Sequence, residues 1–100
     1  MWFITVFSQC ELDKDGFPDY GDTRTWGYYK EKEVALRAVR ENRADIWEYW
    51  YEYAVVEKLG AGISPCCEEI HWFKFDIEAQ QYVEIDAPIG HNCWGNFALG

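Results

Sequence analysis

The sequence has no apolar run near the roughly 20 residues that a membrane-spanning helix needs, and this excludes a transmembrane helix. Met1 to Phe7 carry no basic stretch ahead of an apolar core and no small-residue cleavage site. They are not expected to form a signal peptide, and a cytoplasmic location is the expectation. Basic residues are scarce: 9 Lys and Arg stand against 18 Asp and Glu, a formal net charge of −9. Affinity for a phosphate backbone comes from clustered Lys and Arg, so direct nucleic-acid binding is not expected. Catalytic signatures are missing too. The chain has no P-loop, Gly-x-Gly-x-x-Gly, Gly-x-Ser-x-Gly or His-Glu-x-x-His, and no His-x-Glu…Pro-Cys-x-x-Cys deaminase pattern. Repeats, linkers and low-complexity segments are absent.

What is present is aromatic and acidic. Nearly half of the 100 residues are apolar and 19% are aromatic, too much buriable surface for a disordered chain. The length suits one domain, residues 1–100, with one modest core. Residues 2–9 alternate and are rich in β-formers, with apolar side chains on both faces, which predicts a central strand. Residues 11–22 hold Asp15-Gly16, Pro18 and Gly21 and read as a loop. Its acids fall at positions 1, 3, 5, 9 and 12 of a window with Gly at 6, the spacing of a calcium loop. The window departs from that pattern at Glu11, Pro18 and Asp22, and no helix precedes it. A second strand over 23–29, antiparallel to the first, follows, with Arg24 placed to pair with a loop aspartate.

Residues 31–42 predict the one main helix. Val34, Ala35, Ala38 and Val39 form its apolar stripe, Glu31 and Glu33 suit the first turn, and Asn42 suits the end. Arg37, Arg40 and Arg43 recur away from the stripe as a solvated face. Residues 44–50 fit either a short helical turn or irregular chain. Further strands are expected at 51–58, 70–76 and 81–85, the last two as a hairpin, with an aromatic tail over 92–99 packing back as an edge strand. The expected class is α+β: one antiparallel sheet of four to six strands, order β-β-α-β-β-β, with the helix on one face.

Cys10, Cys66, Cys67 and Cys93, with His91, are the candidate metal ligands, because zinc takes four N or S donors and these lie at element ends where distant segments meet. Plain core thiols are the competing reading, and disulfides are the third. Glu68 and Glu69 beside the cysteine pair, or a Cys–His pair using His71 or His91, would suit a small zinc- or thiol-dependent enzyme. The densest aromatic run, Trp47, Tyr49, Trp50, Tyr51 and Tyr53, lies among acids. Trp47, Glu48, Trp50 and Glu52, with the loop acids Asp19 and Asp22, are the candidate partner-binding residues, since exposed Trp and Tyr make interface hot spots and acidic surface steers toward basic grooves.

Gly21–Tyr29, Tyr51–Lys58 and Asn96–Gly100 resemble segments of small bacterial and phage proteins of unknown function, about 100 residues long. Small acidic phage domains of this size also resemble anti-CRISPR proteins. That resemblance implies a non-enzymatic inhibitor docking on a basic surface of a host nuclease such as Cas9; zinc, if the cysteine set binds it, would hold the fold. A housekeeping interaction domain is the remaining reading.

Overall fold

The computed structural model describes residues 1–43, 45–61, 67–88 and 97–98. Its main sheet is built from β1 (Trp2–Phe7), β4 (Thr23–Tyr29), β5 (Tyr53–Leu59), β6 (Cys67–Asp76) and β7 (Gln81–Ile85), in the spatial order β4-β1-β5-β6-β7. Every pairing is antiparallel. One helix, α1 (Lys32–Arg40), packs on one face, so the α+β class and the single main helix agree with the sequence reading.

Alternation decides which face each side chain takes. Trp2, Ile4 and Val6 of β1, Ala54 and Val56 of β5, Phe73 and Phe75 of β6 and Tyr82 of β7 meet α1 in one cluster. Phe7, Val55 and Trp72 form a second cluster on the opposite face. A strand apolar on both faces must be interior, and β1 lies between β4 and β5. Burying each large aliphatic or aromatic residue of these clusters stabilises the fold by roughly 1.5–3 kcal/mol.

The helix buries Ala35, Leu36, Ala38 and Val39; Leu36 widens the expected stripe, while Val34 is only half-buried. It ends as Asn42 predicts. Asn42 adopts a left-handed φ of 53°, its N–H donates to Val39 O (3.0 Å), and the Arg43 N–H donates to Ala38 O (3.0 Å). This pair of bonds satisfies carbonyls that a helix end leaves open. The Asn42 Oδ1 then accepts from the Trp47 N–H (2.9 Å), which pins the following 3-10 turn, Ile46–Tyr49, against the helix end.

Three strands differ in extent from the sequence reading, and α1 is shorter than the expected 31–42. β1 stops at Phe7, although the Ser8 and Gln9 N–H groups still donate to Asp22 O and Tyr20 O. β6 starts at Cys67, and β5 covers 53–59. The 11–22 loop contains a small hairpin, β2 (Glu11–Leu12) against β3 (Pro18–Asp19), closed by the Asp13 carboxylate accepting from the Asp15 and Phe17 N–H groups (both 2.9 Å). Gly21 is required where this loop rejoins the sheet. Its φ is +63°, and a Cβ there would lie 2.2 Å from Ser8 Oγ. Of the expected edge strand over 92–99, only Phe97 and Ala98 lie among the described residues. They form a turn against the sheet face opposite α1.

Candidate functional site

The register places the start of β5, the end of β1 and the end of β6 together, through the pairs Phe7↔Tyr53 and Tyr53↔Lys74. The chain leaving α1 reaches this end of the sheet through residues 45–52. There Trp47 stacks on Phe75 at 4.3 Å with nearly parallel rings, and Trp50 leans on Trp47 at 6.3 Å. Trp26 of β4 meets Tyr49 and Tyr51 edge-on, and the Arg24 guanidinium lies 5.3 Å over the Trp26 ring. Arg24 was expected to pair with a loop aspartate; among the described residues it stacks on Trp26 instead, because alternation puts both side chains on one face of β4.

Most of these rings are anchored, yet Trp50 is 77% exposed and Tyr49 61%. Trp50 also sits at φ +67°, left-handed backbone that bulky L-residues avoid. Its own stretch is acidic, with Asp45, Glu48 and Glu52. A cleft of about 420 Å³ lies between Glu52, Lys74, Ile77, Glu78 and Val83, on the face opposite α1, because Lys74 and Val83 alternate with Phe73, Phe75 and Tyr82. Within it Lys74 offsets only Glu52, at 3.8 Å, and Ile77 is 65% exposed. Of the expected partner-binding residues, Trp47 and Trp50 touch, Glu48 lies between them in the chain, and Glu52 reaches Lys74. Asp19 and Asp22 lie at the same sheet end but in the loop whose Tyr20 packs on the opposite face. The Asp19 Oδ1 is already held by the Gly21 N–H at 3.0 Å.

The proposed metal ligands are divided. Cys10 and Cys67 lie among the described residues, the Cys67 thiol donating to Glu69 O at 3.3 Å, while Cys66, His91 and Cys93 lie outside them. Cys10 follows the Tyr53 end of β5, and Cys67 pairs with Leu59 at the other end. Six residues of strand separate those ends by about 20 Å, so one ion cannot take both thiols. Burial pushes the Cys10 thiol up to about 11. Among the described residues no three His, Cys, Asp or Glu side chains gather as a metal cage requires. In the calcium-like loop, Asp13 and Asp19 spend carboxylate oxygens on backbone N–H groups.

His71 lies on the helix side of β6 in a chain of charges. Its Nε2 is 2.5 Å from Glu69 and its Nδ1 is 2.9 Å from Glu84. Lys32 of α1 reaches Glu69 at 2.6 Å, and Arg40 reaches Glu84 at 3.4 Å. The Lys32 hydrogen bond, and then that from His71, hold the Glu69 carboxyl below its ordinary range. With both ring nitrogens facing carboxylates, His71 offers no free nitrogen to act as base toward a thiol. The arrangement fastens α1 to β6 and β7.

The opposite face holds what sequence reading missed. Glu57, at the middle of β5, is fully buried. Its Oε1 and Oε2 each accept from the Phe97 N–H at 3.0 Å, and Oε1 also accepts from the Ala98 N–H at 3.3 Å. The Thr25 hydroxyl donates to Ala98 O at 3.1 Å. A glutamate in a strand ordinarily signals a solvent-facing position, and only a segment forty residues later makes this one internal.

No helix among the described residues is long and apolar enough to cross a membrane. Comparison with family models, curated proteins and solved structures gives no match.

Proposed function

We propose that this chain is a non-enzymatic binding protein that docks the acidic, aromatic end of its sheet on a basic surface of a partner protein. The observation that carries this reading is Trp50, a bulky ring 77% exposed and held at φ +67°. A non-glycine residue in that conformation costs about 1–2 kcal/mol, and so exposed a ring regains little of it by burial. Strained residues of this kind gather at working sites, and Trp is the side chain most typical of interface anchors. The acids around it supply the second half of the argument. Asp45, Glu48 and Glu52 lie on the same stretch, and of these Glu52 alone is paired among the described residues, with Lys74 at 3.8 Å, a balance that attracts a positively charged groove. Grooves that ordinarily hold nucleic acid have that charge. A host nuclease such as Cas9, the partner implied by the anti-CRISPR resemblance, is the specific form of the proposal.

The test is binding of the immobilised full chain to purified Cas9–guide complex, and to nucleases recovered from host lysate, at low and high salt. Binding at low salt that weakens with added salt and drops at least tenfold in Trp50→Ala supports the reading. Equal binding by the wild type and Trp50→Ala, or none by either, removes it.

A further inference from the structure

The sheet face opposite α1 has the construction of a peptide-binding site, with a peptide already in it. Phe97 enters a box of three rings: Phe7 at 5.0 Å, Tyr20 at 5.2 Å and Trp72 at 5.6 Å, each meeting it edge-on. Two successive backbone N–H groups, of Phe97 and Ala98, converge on the Glu57 carboxylate, and the carbonyl that follows is taken by Thr25. One pocket for a side chain, with main-chain donors and an acceptor satisfied alongside it, is how proteins read short peptides.

Apart from Tyr20 on the 11–22 loop, the receptor residues belong to the sheet and owe their positions to its register. Phe7 comes from β1, Thr25 from β4, Glu57 from β5 and Trp72 from β6. Phe97 and Ala98 form a turn and add no strand to the sheet, so their departure leaves the ladders intact. It would also return a buried carboxylate to water, and burial of a carboxylate opposes binding strongly unless its partners are well placed. The closed state is therefore a balance between ring packing with hydrogen bonds on one side and carboxylate hydration on the other.

We propose that this face is a recognition site for a peptide carrying an aromatic residue followed by a small one, and that Phe97–Ala98 occupies it in cis as a competing ligand. A segment of the same chain acts at an effective concentration in the millimolar range. A partner peptide must displace it, and its apparent affinity falls with the fraction of molecules in which the box is open. The inference concerns the opposite face from the Trp50 surface and stands or falls independently of it.

The experiment opens the box in the full chain by Phe97→Ala and titrates the capped peptide Asn-Phe-Ala-Leu-Gly, with Asn-Ala-Ala-Leu-Gly as control. Phe97→Ala is expected to bind the Phe peptide at least tenfold more tightly than the wild type does, and to ignore the control. Adding Glu57→Gln to Phe97→Ala should weaken binding about tenfold or more, because the amide offers one acceptor where the carboxylate offers two charged ones. Should Phe97→Ala fail to unfold cooperatively, a fluorine label on Phe97 of the wild type replaces it. A new Phe97 resonance growing with about 1–10 mM peptide supports displacement. Binding of both peptides alike, indifference to Glu57→Gln, or an unmoved Phe97 resonance would each overturn the proposal.

Discussion

Two sets of aromatic rings meet at the same end of the sheet, and they are finished differently. On the face opposite α1, Phe7, Tyr20 and Trp72 close around Phe97, and Glu57 ties the segment down from beneath. On the helix side, Trp47 stacks on Phe75 and Trp26 meets Tyr51, but these contacts continue outward to Trp50 and Tyr49, which are largely exposed. Hydrophobic driving force is the same per unit area in both. The first set uses it inside the molecule; the second leaves it available, next to unneutralised acids. The difference teaches that aromatic content alone does not mark an interface, and the proposed docking surface rests instead on an unfinished ring cluster in strained backbone.

The contrast can be broken most forcefully from the closed side. Trp72→Ala removes a ring 3% exposed that touches both Phe7 and Phe97, and should cost about 3–5 kcal/mol in urea unfolding. Tyr49→Ala, on the open side, should stay within about 0.5 kcal/mol. Equal losses would erase the distinction. An intermediate effect is expected at the hinge between helix and open cluster. Asn42→Ala loses the bond to the Trp47 N–H and puts a Cβ-bearing residue without local polar support at φ 53°; about 1–2 kcal/mol is the expected loss by thermal or urea unfolding.

The smallest effect belongs to the charge chain around His71. Glu69 is held below its ordinary carboxylate value of 4.5, first by Lys32 and then by His71. A depressed folded value means that its contribution is complete above about pH 4.5 and is lost as pH falls through the folded value. The Tm difference between the wild type and Glu69→Gln should therefore be constant near neutrality and shrink in acid. A difference that grows in acid would contradict the assignment.

Much of this could be read from local pattern. Alternation in residues 2–7 and 23–29 dictates two strands, and the spacing of Ala35, Ala38 and Val39 dictates the helix. Asn42 announces its end because few residues accept left-handed backbone as readily. The Trp47–Glu52 cluster was visible as composition, since its members are neighbours in sequence. The strain at Trp50 was not, because it depends on how the 3-10 turn is pinned by Asn42 and stacked on Phe75. Glu57 was invisible for a related reason: burial of a strand carboxylate depends on what crosses over it. The β2–β3 hairpin has only two residues per strand, too few for alternation to show. The cysteines show where pattern stops short. Element ends looked like meeting points, but antiparallel register sends Cys10 and Cys67 to opposite ends of β5.

The central claim is that Trp50 is kept for a partner and against the fold's own interest, and Trp50→Gly tests it most directly. Glycine accepts φ +67° without penalty, and little buried area is lost with a ring 77% exposed. Urea unfolding of Trp50→Gly, alongside partner binding by the same preparation, should show stability unchanged or raised by about 1 kcal/mol with binding lost. A loss of about 2 kcal/mol or more, or binding that survives intact, would show that Trp50 serves the fold and contradict the account.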